Sequence, residues 1–361
     1  MTSVPVRDDL VGLAGYHSPQ ANAEVRLNTN ESPLAPPEGW LNELSDELRR
    51  IDFNRYPDRE ASALRGALAE FHDLDPTQVF CANGSNEVLQ CLLFAYGGAG
   101  RSVAIFEPTY ALHRHIASLT ATTVVSGWRT PDYRLDLDVV DDLLESSRPV
   151  ITFLCSPNNP TGRADPPDVV RHVLERAPGL VVVDEAYGQF APCSALDLVH
   201  GDGPGSDRLV IVRTFSKTWS MAACRLGYLV GDPAVVDACD TVALPYHLDA
   251  VTQLAGRLAL RHADAMEAGA AVLKEERGRI AAALAELPVQ TWPSDANFVL
   301  FRPLARAAGQ VWADLLASSV LIRDCSTWPG LDECLRVTVG TSEENDRFLA
   351  ALRLSLEDGT P

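Results

Sequence analysis

The chain has no Cys-x-x-Cys pair, no uninterrupted apolar run approaching the length of a bilayer span, and no internal repeat or low-complexity tract. The eight cysteines, at positions 81, 91, 155, 193, 224, 239, 325 and 334, therefore read as buried thiols in a reducing compartment; several lie inside apolar stretches such as Phe80-Cys81-Ala82. A signal peptide would need an apolar stretch near the start, but the first ten residues carry Arg7, Asp8 and Asp9. With no spanning segment either, the expectation is a soluble, cytoplasmic protein. Positive charge is also scarce. Thirty basic residues face 49 acidic ones, for a formal net charge of -19. Such a balance opposes broad attraction to nucleic acid or anionic lipid, so any anion site must be built locally.

What is present is enough apolar material, 46% of 361 residues, to fill more than one core. Chains of this size divide, and a large domain with a smaller companion is expected. Residues 1–40, rich in Pro, Asn and Gly, read as an extended arm associated with the small domain. A helical pattern runs from Trp40 to Ile51. Apolar runs of strand length then alternate with helical stretches, at Val79 to Ala82, Val103 to Phe106, Val150 to Cys155, Leu180 to Val183 and Leu209 to Phe215. These runs are continuous, as in strands buried on both faces of a mostly parallel sheet, and they predict a doubly wound α/β domain over 41–245. Beyond Leu244-Pro245 the pattern predicts about 40 residues of helix, in more than one piece, from His247 to Leu287. Short strands follow at Asn297 to Phe301, Val320 to Arg323 and Leu335 to Val339, then a capping box at Thr341 and Glu344. Residues 246–361 are thus expected to form a long connecting helix and a smaller α+β domain.

Ligands bind outside the carboxyl ends of the strands in an open parallel sheet, so the residues just after each run carry the functional signal. They are Asn83-Gly84-Ser85-Asn86-Glu87, leading into an amphipathic helix from Val88 to Tyr96; Ser156-Pro157-Asn158-Asn159-Pro160-Thr161-Gly162; Asp184-Glu185-Ala186-Tyr187; and Ser216-Lys217 with Arg225 eight residues on. A lysine at the end of a buried strand either pairs with a carboxylate or loses its proton and becomes nucleophilic. Taken alone, Lys217 is better explained as a snorkelling or ion-paired side chain. Its company adds weight. Asp184, after three buried valines, needs a cationic partner, and a protonated pyridine ring of pyridoxal phosphate would be one. The bland alternatives are a helix N-cap for Asp184 and a core aromatic for Tyr187. Tyr187 or Asn159 could reach the ring's phenolic oxygen. Ser85 and Asn86, opening a helix, together with Ser216 and Arg225, could bind a phosphate without any net positive charge.

The order and spacing of these motifs resemble the class I and II aminotransferases of fold type I. More narrowly, the chain resembles histidinol-phosphate aminotransferases over essentially its whole length, through Leu27-Asn28-Thr29-Asn30-Glu31-Ser32-Pro33, Asn54-Arg55-Tyr56-Pro57-Asp58, Leu244-Pro245-Tyr246-His247-Leu248, Ser294-Asp295-Ala296-Asn297-Phe298, Arg323-Asp324-Cys325 and Leu335-Arg336-Val337-Thr338-Val339-Gly340-Thr341. The resemblance implies that Lys217 carries pyridoxal 5'-phosphate as a Schiff base and that Asp184 pairs with the pyridine nitrogen. Asn159 and Tyr187 would take the phenolic oxygen, with Ser85, Asn86, Ser216 and Arg225 on the phosphate and Tyr110 on the ring face. Tyr56 would reach the phosphate of a neighbouring subunit's cofactor in a homodimer. Arg336 would bind the substrate's anionic end, with Arg323, Tyr16 and Asn30 nearby. The implied reaction is amino transfer from L-histidinol phosphate to 2-oxoglutarate, giving imidazole-acetol phosphate and glutamate in histidine biosynthesis. Rival readings are an aromatic or other amino-acid aminotransferase, an amino-acid-phosphate decarboxylase, and a cofactor-binding regulator without turnover; for the last, no DNA-binding domain is in view.

Two departures from the family pattern stand out. Met221-Ala222-Ala223-Cys224 precedes Arg225 where a glycine is usual, which predicts a stiffer phosphate loop, and the segment Ser326 to Glu333, with Trp328-Pro329-Gly330, is placed to reshape the substrate pocket. His113 and His115 have spacing that could suit a metal, but no carboxylate or thiol accompanies them in sequence, so no metal is expected and they read as surface or second-layer histidines. Gly97-Gly98-Ala99-Gly100 and the stretch Gly201 to Gly205 read as plain turns.

Overall fold

The computed structural model describes residues 4, 6–13, 15, 21–201 and 203–357. Among these residues a short strand, β1 (Val25–Leu27), precedes the larger of two sheets. That sheet has seven strands: β2 (Val79–Asn83), β3 (Ser102–Glu107), β4 (Thr123–Trp128), β5 (Ile151–Cys155), β6 (Leu180–Asp184), β7 (Leu209–Thr214) and β8 (Leu226–Val230). Their spatial order is β2-β8-β7-β6-β5-β3-β4. All run the same way except β8, which pairs antiparallel with both β2 and β7.

The continuous apolar runs have a direct physical cause. Along β6, Val181 and Val183 face one hydrophobic cluster while Leu180 and Val182 face another; along β7, Leu209 and Ile211 alternate with Val210 and Val212 in the same way. Helices cover both faces. The first cluster is closed by α1 (Glu38–Leu48), α2 (Ser62–His72), α5 (Leu137–Ser147), α6 (Pro167–Arg176) and α8 (Ala250–Ala259), the second by α3 (Gly84–Tyr96), α4 (Ala111–Leu119) and α7 (Pro233–Val242). With water excluded on both sides, every position of such a strand can be apolar, and each fully buried valine or leucine contributes about 1.5–3 kcal/mol.

Two strands of this sheet have no counterpart among the expected runs. β4 lies at the sheet edge, and of its six residues only Gly127 is buried, so it lacks the apolar signature of the central strands. β8 starts directly after Arg225, and its Gly227 breaks the run of large apolar side chains. The helix expected from Val88 begins four residues earlier, at Gly84, whose φ of +77° lets the chain turn straight from β2 into α3. The expected 40-residue helical stretch is α8, a 3-10 turn at Leu260–His262, and α9 (Ala263–Ala285).

The second sheet adds β9 (Val289–Thr291), β10 (Phe298–Pro303), β11 (Val320–Asp324) and β12 (Leu335–Thr338) to β1, in the order β1-β11-β12-β10-β9. β1 pairs in parallel with β11, which ties residues 25–27 to the C-terminal part of the chain. The sheet packs against α9, α10 (Ala308–Ala317) and α11 (Ser342–Glu357). The capping box opens α11: the Glu344 amide donates to Thr341 Oγ1 at 3.2 Å and the Thr341 amide to Glu344 Oε2 at 2.8 Å. All eight cysteines are unpaired; six are buried, whereas Cys193 and Cys224 are only half-buried. Among the described residues, no helix is long and apolar enough to cross a membrane.

Candidate active site

The carboxyl ends of β2, β3, β5, β6 and β7 open on one side of the large sheet, and because β8 runs the other way its first residue lies on that same side. This is how Arg225, just ahead of β8, joins residues that follow the parallel strands. A cavity of about 430 Å³ lies there, closed on its far side by residues 28–31 and by the small sheet's Arg323 and Arg336. Its size is that of a site for a cofactor or small molecule.

Asp184, the last residue of β6, is 1% exposed. Its Oδ1 accepts from the Ala186 amide at 3.1 Å, the bond expected of a cap, while Oδ2 lies 3.1 Å from Nε2 of His113. An ionised Asp184 requires Nε2 to carry the ring proton. His113 comes from α4, is fully buried, and stacks on Phe153 with ring centroids 4.7 Å apart. It is therefore a buried partner of the carboxylate. The signal available in the sequence was its place one helical turn after Tyr110, a residue of the same cavity wall.

Lys217 follows β7, and its ammonium donates to the Thr29 carbonyl at 3.1 Å and lies 5.9 Å from the centre of the Tyr187 ring. Burial, reinforced by Arg336 and Arg225 and partly opposed by Glu31, pulls its pKa down to about 8. A lysine so placed has a substantial neutral fraction near neutral pH and can act as a nucleophile. It is one of only two lysines in the chain, the other being Lys274.

An anion cradle lies to one side. Ser85 and Asn86 occupy the first turn of α3, where unpaired amides and the helix dipole favour negative charge. Arg225 donates to Ser216 Oγ at 3.2 Å and to the Ala222 carbonyl at 3.1 Å. Ser216 is fixed in turn, its amide donating to Thr214 Oγ1 at 3.1 Å. Residues 222–224 form a 3-10 turn, and Arg225 itself takes a left-handed φ of +53°, a conformation that a non-glycine residue keeps only when its surroundings hold it. β8 passes so close beneath α3 that a Cβ on Gly227 would sit 2.1 Å from the Ser85 amide nitrogen.

The opposite wall holds Tyr187 and Asn159. Tyr187 is buried and accepts from Asn30 Nδ2 at 2.9 Å; burial raises its phenol above the usual range. Asn30 is held by its own amide donating to Thr338 Oγ1 at 3.0 Å. The loop from Ser156 to Gly162 is braced by Asn158, whose Nδ2 donates to the Pro108 carbonyl at 2.9 Å and to Thr161 Oγ1 at 2.7 Å. Bracing by Asn158 leaves the Asn159 side chain at the cavity, where its carbonyl oxygen accepts from Arg336. Arg336 also donates to the Asn28 carbonyl at 3.0 Å, and in the β11–β12 register it stands directly opposite Arg323.

Ser85, Asn86, Tyr110, Asn159, Asp184, Tyr187, Ser216, Lys217 and Arg225 thus share one cavity with Asn30, Arg323 and Arg336. Tyr56 does not line it; that side chain is 79% exposed and stacks on Tyr246 at 4.4 Å. Tyr16 lies outside the described residues. The residues present fit pyridoxal phosphate: a cradle for its phosphate, a buried carboxylate for a ring cation, a nucleophilic amine between them, and Tyr110 as an aromatic wall.

The family model for aminotransferase class I and II matches residues 23–352. A histidinol-phosphate aminotransferase of Frankia casuarinae is 46% identical over 98% of this chain and 90% of its own length. One from Nocardia farcinica is 43% identical over 99% of this chain and 93% of its own. Among solved structures, the histidinol-phosphate aminotransferase of Sinorhizobium meliloti in complex with pyridoxal-5'-phosphate aligns over 99% of both chains with a TM-score of 0.88; at 23% identity it attests the fold.

Proposed function

Because the chain belongs to the class I and II aminotransferases, enzymes of pyridoxal-phosphate-dependent amino transfer, we propose that it moves the amino group of L-histidinol phosphate to 2-oxoglutarate. The observation that carries the substrate reading is the pair of buried arginines, Arg323 and Arg336, cross-strand partners that both line the cavity holding Lys217. Such a pair suits a phosphate dianion at the end of the amine donor and the carboxylates of the acceptor. Relatives 42–46% identical over nearly the whole chain that bear the name of this activity support the same reading.

When bound, pyridoxal phosphate supplies an electron sink for the bond broken at the substrate's α-carbon. The chain's residues do the rest. Ser85, Asn86, Ser216 and Arg225 would grip the phosphate. Asp184, oriented by His113, would keep the pyridine nitrogen protonated, and Asn159 and Tyr187 would fix the phenolic oxygen. Tyr110 would cover one ring face. Lys217 would hold the cofactor covalently until the substrate amine displaces it, and its freed Nζ would then carry the proton away from the α-carbon as a general base. Burial beside Arg336, which disfavours the ammonium form, suits that task.

In this reading residues 41–245 form the cofactor-binding domain, residues 246–361 the connecting helix and small domain, and residues 1–40 an arm of the latter. Two copies would make a homodimer in which the exposed Tyr56 reaches the partner's cofactor phosphate. The eight unpaired cysteines suit the reducing cytoplasm. The test is product analysis: purified protein with L-histidinol phosphate and 2-oxoglutarate should form glutamate in equal measure to the donor consumed. Release of carbon dioxide from a phosphorylated amino acid, with no glutamate formed, would replace this reading with decarboxylation.

A further inference from the structure

Arg323 and Arg336 are cross-strand partners on one face of an antiparallel pair, both buried, with Cα atoms about 4.5–5.5 Å apart for such partners. Like charges placed so repel, and burial strengthens the repulsion. The two guanidinium groups are supported in parallel ways. Arg336 lies over the Phe298 ring at 5.1 Å and Arg323 over the Trp328 ring at 5.2 Å, so each rests on the negative face of an aromatic ring. Phe298 is a fully buried residue of β10, whereas Trp328 is half-buried on the turn joining β11 to β12.

That turn is a rigid mount. Cys325 donates to the Cys334 carbonyl at 3.0 Å, Trp328 to Cys325 at 2.9 Å, Leu331 to Trp328 at 3.1 Å and Cys334 to Leu331 at 3.0 Å, all through backbone groups. Leu331 is fully buried in a cluster with Tyr133, Trp292 and Leu300, and Trp328 packs against the same cluster. A flexible arginine stem therefore meets a fixed indole plane.

We propose that Trp328 is a positioning residue that holds the Arg323 guanidinium for a phosphate monoester, and that the 325–334 turn thereby gives the site its preference for a dianionic tail. The inference rests on the reading that the two arginines receive the substrate's anionic end. A single carboxylate can be satisfied by Arg336, which Asn159 and the Asn28 carbonyl already hold. A dianion needs both forks at once, so loosening Arg323 weakens the dianion and spares the monoanion.

The experiment compares the wild-type holoenzyme with Trp328→Phe, Trp328→Leu and Trp328→Ala. Loss of the aromatic face should raise KM for L-histidinol phosphate by about 3- to 30-fold in the Leu and Ala variants. The kcat should stay within about twofold, and Trp328→Phe should restore most of the affinity. Titration of the same holoenzymes with methyl phosphate and with acetate, followed by cofactor absorption, should show weaker methyl phosphate binding in Trp328→Leu and unchanged acetate binding. Equal loss for both anions, or none for methyl phosphate, overturns the proposal. If the Ala variant does not fold, the Phe and Leu pair decides. If the wild type turns over no L-histidinol phosphate, the proposed activity fails, and the anion titrations still judge Trp328.

Discussion

Lys217 titrates in a setting that disfavours its ammonium form. In the cofactor-free protein its pKa is about 8 instead of 10.5, chiefly through burial and next through Arg336. The folded chain then binds fewer protons at this site than the unfolded chain between those two values, so the residue's penalty on stability is full below pH 8 and relieved as pH rises across the interval. Capture of pyridoxal phosphate needs the neutral amine. Its rate, followed by stopped-flow absorbance, should climb with pH through a midpoint near 8 before levelling off, and Arg336→Gln should move that midpoint upward; a midpoint near 10.5 in the wild type would show the burial to be inconsequential. His113 makes a second residue-scale prediction. A hydrogen bond to a charged group contributes about 1.5–3 kcal/mol, so His113→Phe, which preserves the stack on Phe153, should lower kcat roughly 10- to 100-fold with cofactor saturating. An unchanged kcat would reduce His113 to a packing residue. In the sequence Asp184 and Lys217 stood out because polar groups at the ends of apolar strands need a reason. His113 did not, because its one local mark, the spacing from Tyr110, does not say that α4 turns it onto a carboxylate 71 residues away.

At the scale of elements, the central strands were legible because two layers of helices make their apolar runs continuous. β4 was not, since an edge strand with one buried residue carries no such run. The direction of β8 was also hidden, as strand polarity is set by pairing across the sheet and leaves no trace in composition; yet that reversal is what delivers Arg225 to the site. Gly227 shows how tightly β8 and α3 are coupled. Gly227→Ala would drive a methyl into the start of α3 at Gly84 and Ser85, so cofactor affinity should fall at least about tenfold, by roughly 1.4 kcal/mol, with the folded state retained. Gly66 is the contrast: it lies inside α2 with nothing within 4 Å of an added Cβ. Gly66→Ala should leave cofactor binding alone and raise stability by about 0.5–1 kcal/mol in urea unfolding. If both substitutions behave alike, the close approach of β8 to α3 has no functional weight.

For the whole molecule, the strands of a large, mostly parallel sheet and of a smaller mixed one were legible, whereas the joining of β1 to β11 across nearly 300 residues was not. Burial does not explain Tyr56 and Tyr246, a stacked pair with both rings exposed. If Tyr56 serves a partner's site, co-expressed Lys217→Ala and Tyr56→Phe chains should form mixed dimers with one intact site. Their cofactor affinity per active site should match the wild type and exceed that of the Tyr56→Phe homodimer; equality with the latter would place Tyr56 outside the site. Six strand ends converge on Lys217, and because the chain has only two lysines, its role as the cofactor's anchor is directly testable. Reduction of the holoenzyme with borohydride followed by peptide mass mapping should find the pyridoxyl group on the peptide containing Lys217 and leave the Lys274 peptide unmodified. A covalent adduct on Lys274, or one that persists in Lys217→Ala, would place the Schiff base elsewhere.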